Sequence, residues 1–339
     1  MSPIHAVCLC RMNFADRLAH AIRRTGSITC VGLDPRIESL PSVLTDSIDV
    51  SDPSAVAGAY ELFCRGVIDA VADKVPCVKP QSAFFEALGP PGVAAMADVI
   101  RYARERSLLV IVDAKRNDIG STALAYAAAY LGAASPFAGD ALTVSPYLGR
   151  DSIEPFCDAC DASDAGIFVL VKTSNPGGGL FQDRRQTPSP DQASTIDPNG
   201  DGQTLFESVA DLVEELNRTR RGNCGYGPIG SVVGATYPEQ LASLRDRMRS
   251  SWILIPGFGA QGGGADDVRP GVDANGLGAI VNSSRHLIFA HRRDEFADRW
   301  APVDWQNAVA AAADQMNQQL GFAAAVPPPS PPDIDGPLK

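Results

Sequence analysis

The sequence has no apolar run approaching the roughly 18 residues that a membrane-crossing helix needs. Its opening stretch, MSPIHAVCLCRMNFADRL, holds only the brief patch IHAVCLC, too short for the apolar region of a secretory signal. Positive charge is also scarce: 29 Lys and Arg against 40 Asp and Glu give a net charge of -11. That balance argues against non-specific binding to nucleic acid or to anionic membranes. It leaves room for a small anionic substrate, which answers to local charge only. Metal-ligating patterns are thin. Cys157 and Cys160 form a lone CxxC with neither a second pair nor a histidine at ligand spacing, so no metal site is expected. Cys30, Cys64 and Cys77 lie in apolar contexts, where a free thiol acts as a small hydrophobe. No disulfide framework is expected, and a reducing cytoplasm fits the chain best.

What is present is a repeated alternation. Eight short apolar runs recur along the 339 residues: ITCVGLD (28–34), VPCVKPQ (75–81), LLVIVDAK (108–115), DALTVSP (140–146), GIFVLVKTS (166–174), IGSVVGAT (229–236), WILIPGFG (252–259) and LGAIVNSSR (277–285). Amphipathic helical spacing lies between many of them, over 54–73, 92–106, 122–131, 204–218 and 238–249, and again over 304–320 after the eighth run. Near-continuous apolar strands alternating with helices describe a parallel sheet covered by helices. Eight such units favour a single (β/α)8 TIM barrel over an open doubly wound sheet. On this reading residues 12–321 form the barrel. Residues 1–11 are a disordered leader or a misassigned start, since Met12 opens a plausible helix. The polar stretch 182–203, QDRRQTPSPDQASTIDPNGDGQ, is a loop insertion after strand five, and its DPNGDG lacks the Glu that an EF-hand loop requires. The Pro-rich end, 322–339, is a disordered tail.

In such barrels the chemistry sits at the carboxyl ends of the strands. Those ends carry Asp34, Lys79, then Asp113 and Lys115 with Asp118 soon after, Thr173-Ser174-Asn175, the glycine-rich PGFGAQGGG (256–264), and Asn282 to Arg285. Asp113 and Lys115 are two apart, so an extended strand would point both side chains to one side. An alternating Lys–Asp–Lys–Asp set can be a purely structural ion-pair network. Gathered at strand ends, it reads better as a functional cluster, because neighbouring charges fix side chains and shift their ionisation. The glycine-rich stretch with Arg285 on the next strand matches the phosphate site common in this fold.

With these residues in view, DAKRNDIGSTA (113–123) resembles the D-x-K-x-x-D-I signature of the orotidine 5′-phosphate decarboxylase family. VGLDPR (31–36), CVKPQSAFFE (77–86), KTSNPGG (172–178), PGFGAQGGG and VNSSR follow in the order of that family, in its longer, mostly bacterial branch (type 2). The resemblance spans roughly residues 14–320. It implies decarboxylation of orotidine 5′-monophosphate to uridine 5′-monophosphate and CO2 in pyrimidine biosynthesis, with no cofactor and no metal. By resemblance, Lys115 protonates the ring carbon that loses CO2. Asp113 lies against the substrate carboxylate, and Lys79 bridges Asp113 and the ribose. Asp34 binds the ribose, Ser174 contacts the pyrimidine, and Gln261 and Arg285 hold the phosphate. Asp118, Ile119 and Thr122 complete the neighbouring subunit's site, which implies a homodimer. Asn117 stands where many members have Gly. Two rivals share the barrel. A metal-dependent sugar-phosphate enzyme would need an acidic ligand at the end of strand two, where this chain has Lys79. A non-catalytic phosphoribosyl-binding barrel would have no need of Lys115.

Overall fold

The computed structural model describes residues 12–186, 202–235, 238–258, 264–297 and 299–321. The leader 1–11, the tail 322–339, the centre of the insertion (187–201, with most of DPNGDG) and Gln261 lie outside the described residues.

Eight parallel strands close on themselves: β1 (Thr29–Leu33), β2 (Cys77–Pro80), β3 (Leu109–Arg116), β4 (Ala141–Val144), β5 (Gly166–Lys172), β6 (Gly227–Val233), β7 (Ser251–Pro256) and β8 (Ala279–Ser283). Each pairs with its neighbours in the chain, and β8 returns to β1 with Thr29 opposite Val281. The fold is the expected single (β/α)8 barrel. Its strands are buried almost throughout, as their unbroken apolar runs require.

The longer helices among the described residues are α1 (Phe14–Thr25), α2 (Pro53–Val71), α3 (Pro90–Glu105), α4 (Gly120–Tyr130), α5 (Arg150–Ser163), α6 (Leu205–Asn217), α7 (Pro238–Arg247) and α8 (Trp305–Leu320). Local chemistry marks several ends. Asn13 caps α1 by accepting from the Asp16 N–H, and Gly26 closes it in the left-handed region. Asp52 followed by Pro53 starts α2, and Thr204 with Glu207 forms a capping box on α6. Phe14 of α1 meets Phe168 of β5 edge-on at 5.9 Å, and a side chain at Gly166 would collide with its ring. On the other flank Phe63 of α2 stacks between Phe289 (5.5 Å) and Trp305 (5.0 Å).

Two elements differ from the sequence expectation. Helix α5 was not apparent, because Pro155 and six acidic or serine positions interrupt its apolar spacing. Its buried face carries Cys157 and Cys160, which pack as small apolar groups. The stretch 182–203 is not loop throughout. Gln182 ends a short helix (Gly179–Gln182), and Arg185–Gln186 pairs antiparallel with Gln203–Thr204, so a two-stranded ladder pins the base of the insertion.

Candidate active site

The carboxylate of Asp113, buried at the end of β3, is the centre of the site. Its Oδ2 accepts from Lys79 Nζ at 2.7 Å and Gln81 Nε2 at 2.9 Å. Its Oδ1 accepts from Lys115 Nζ at 2.7 Å and Thr143 Oγ1 at 2.9 Å. Burial alone would push the Asp113 carboxyl up, but the Lys79 and then the Lys115 ammonium outweigh it and hold the group well below the ordinary 3.8. Burial would likewise lower Lys79. The charges of Asp113 and then Asp34 overcome that and raise it above the ordinary 10.5. Each buried charge is therefore paired and hydrogen-bonded, the condition under which buried ions persist.

The backbone that presents Lys115 is irregular. On the β2 side the ladder continues in register until Gln81 stands opposite Asp113. On the β4 side Val112 pairs with Leu142 and Arg116 with Val144, so Asp113, Ala114 and Lys115 all stand opposite the single residue Thr143. Lys115 takes φ +47°, in the left-handed region that a side chain disfavours by roughly 1–3 kcal/mol. Its N–H, displaced from the ladder, donates to Thr143 Oγ1 at 2.9 Å. The expectation that Asp113 and Lys115 share a side holds, but through this bulge and not through regular strand alternation.

These groups line a cavity of about 260 Å³ at the carboxyl end of the barrel. Leu170, Val232, Leu254 and Pro256 form apolar walls, and Lys79, Asp113, Lys115, Thr143, Ser174 and Asn282 supply the polar ones. Ser174 reaches the cavity on a segment held by Gln182, which accepts from the Thr173 N–H at 3.0 Å and donates to Thr173 Oγ1 at 2.8 Å. Gly234 permits that approach, since a β-carbon there would lie 2.9–3.0 Å from Ser174. Asp34 borders the adjoining open hollow with Lys115, and its buried Oδ1 has no hydrogen-bond partner among the described residues. Arg285 opens a short helix beyond β8, is exposed, and forms no ion pair among the described residues. Asp118, Ile119 and Thr122 do not line the cavity of their own chain. Asp118 accepts from the Ile119 N–H at 2.8 Å, and Ile119 and Thr122 are exposed.

Sequence reasoning assigned no role to four residues here. Thr143, a polar interruption of DALTVSP, and Gln81, two beyond Lys79, were visible as such but were given no role. Asn282 carries a buried, unpartnered Oδ1 at the cavity edge. Lys172, buried at the end of β5, is ion-paired with Asp183 and lies 5.3 Å from the Phe206 ring centroid, tying the segment after β5 back to the barrel.

Residues 29–299 match the model of the orotidine 5′-phosphate decarboxylase / HUMPS family. An orotidine 5′-phosphate decarboxylase of Rhodopirellula baltica is 59% identical over 313 residues, covering 91% of this chain and 99% of the relative. A crystal structure from Streptomyces avermitilis, assigned to the same enzyme, superposes with a TM-score of 0.74 at 34% identity, covering 96% of this chain and 100% of that one. The OMP decarboxylase of Leishmania donovani does so with a TM-score of 0.67 at 33% identity, covering 92% and 100%.

Proposed function

This chain belongs to the orotidine 5′-phosphate decarboxylase / HUMPS family and converts orotidine 5′-monophosphate to uridine 5′-monophosphate and CO2, and from that premise we propose how its residues divide the work. Lys115 is the proton donor. The bond from the ring carbon to the carboxylate breaks with its electron pair left on the ring, CO2 departs, and an N–H proton of Lys115 passes to that carbon. The Lys115 ammonium faces the developing carbanion and stabilises it before transfer, and solvent restores the proton afterwards. Asp113 holds that ammonium and stands against the substrate carboxylate. Lys79 anchors Asp113 from the far side and, with Asp34, reaches the ribose hydroxyls. Ser174 meets the pyrimidine, while Arg285 and Gln261 take the phosphate. Binding energy from ribose and phosphate, remote from the reacting carbon, then serves to hold the ring in place.

The observation that carries this reading is the Asp113 carboxylate held by two ammonium groups at 2.7 Å beside an apolar-walled cavity. Lys79 at the end of β2, where the metal-dependent rival needs an acid, supports a reaction without metal or cofactor. The test is decarboxylation with a chelator present, followed by the fall in substrate ultraviolet absorbance. No fall would sink the reading.

The enzyme acts as a homodimer in which Asp118, Ile119 and Thr122 complete the partner's site. Support comes from their position outside their own cavity and from exposed apolar side chains nearby: Ile119, Leu124, Tyr147 and Leu148. We also assign the chain to the longer, mostly bacterial branch, and its place to the cytoplasm. Free thiols at Cys30, Cys64, Cys77, Cys157, Cys160 and Cys224 suit that compartment. Among the described residues no helix is long and apolar enough to cross a membrane. We take the barrel over 12–321 as the working unit.

A further inference from the structure

We infer that Thr143 is a positioning residue, whose hydroxyl fixes both the backbone of Lys115 and the carboxylate of Asp113 in the arrangement that proton delivery requires. The inference rests on the reading of Lys115 as proton donor.

A threonine hydroxyl has one proton and two lone pairs. An ionised carboxylate can only accept, so the hydroxyl proton goes to Asp113 Oδ1 at 2.9 Å. That leaves the lone pairs for the Lys115 N–H, also at 2.9 Å. The two bonds are mutually dependent, since the donor role toward Asp113 makes Thr143 an acceptor toward Lys115. No other β4 residue can substitute, because Thr143 alone stands opposite the three bulged residues of β3. The backbone N–H bonded here belongs to the residue whose φ of +47° departs from strand geometry. Without the hydroxyl, that N–H loses its acceptor and Asp113 Oδ1 keeps Lys115 as its sole partner. The bulge at Lys115 then loses the hydrogen bond that fixes its displaced N–H, and the Lys115 ammonium shifts relative to the ring. The barrel itself does not need the hydroxyl: the β4–β5 ladder runs through Thr143 opposite Phe168 by backbone pairing.

The test compares wild type with Thr143→Val, Thr143→Ser, Thr143→Ala and Lys115→Ala, each rate expressed per uridine 5′-monophosphate-binding site so that unfolded protein does not count. Valine keeps the shape and removes the hydroxyl. Thr143→Val is expected to lower kcat by about tenfold to a hundredfold, the scale of a misplacement near 1 Å, with KM within about threefold of wild type. Thr143→Ser, which keeps the hydroxyl, is expected to stay within about threefold of wild-type kcat. If Thr143→Val does not fold, Thr143→Ala is read against Thr143→Ser in the same way. A hydroxyl-less variant with kcat within threefold of wild type, a loss confined to KM, or a serine variant as slow as valine overturns the inference. Should Lys115→Ala keep wild-type turnover, the proton-donor reading falls and this inference with it. Should Lys115→Ala be inactive and Thr143→Val unimpaired, only the role of Thr143 falls.

Discussion

At the scale of residues, Asp113 and Lys115 were legible because charge so close to a buried strand needs a reason, and Lys79 because it ends the neighbouring strand. Thr143 was not, since a lone threonine in an apolar run reads as filler until its two partners are seen. Lys115→Ala should cut turnover by roughly 10³-fold, within the range of a positioned proton donor, while product binding measured by calorimetry persists. Asp113→Asn should lower stability near pH 7 by about 3 kcal/mol in denaturant melts, because it leaves two ammonium groups without their common partner. The pH dependence follows from the sign of the shift. The Asp113 carboxyl lies below its ordinary 3.8 in the fold, so its contribution is complete above 3.8 and fades as the pH falls through the depressed value. The wild-type and Asp113→Asn stability curves should therefore run parallel from pH 5 to 8 and converge in acid; curves parallel down to pH 2 would contradict the pairing. Lys79, raised above 10.5, keeps its own contribution below that value and loses it only in stronger alkali.

At the scale of elements, strand order and most helices followed from apolar periodicity. The bulge did not, because alternation along a sequence carries no information about how many residues a neighbouring strand sets opposite. Helix α5 escaped for a different reason: it is secured by packing of Ile153, Phe156, Cys157 and Cys160, while Pro155 masks its pattern. The segment after β5 depends on a close approach that only glycine allows. Gly234→Ala, whose new methyl would sit 2.9–3.0 Å from Ser174, should raise KM by roughly tenfold in steady-state assays with little change in melting temperature. An unchanged KM would remove Ser174 from the binding surface.

At the scale of the whole molecule, the barrel mouth has two kinds of groups, those facing its own cavity and those facing away. Asp118 is of the second kind, while Lys115 is of the first. If the sites are shared across a homodimer as proposed, mixing inactive Asp118→Ala and Lys115→Ala subunits under exchange should restore activity to about a quarter of the wild-type sites, since half the pairs are then mixed and each mixed pair has one intact site. No recovery would assign Asp118 to its own chain. The closure of the ring also governs how the protein is made. Ser27, just before β1, and Thr29, its first residue, both donate to Asn317 of α8 at 2.7 Å, across 290 and 288 positions of chain, and β1 pairs with β8. During synthesis the edge of β1 therefore waits, unpaired, for nearly the entire chain to leave the ribosome. Any translational pause before β8 leaves that open edge free to recruit strands from other nascent chains.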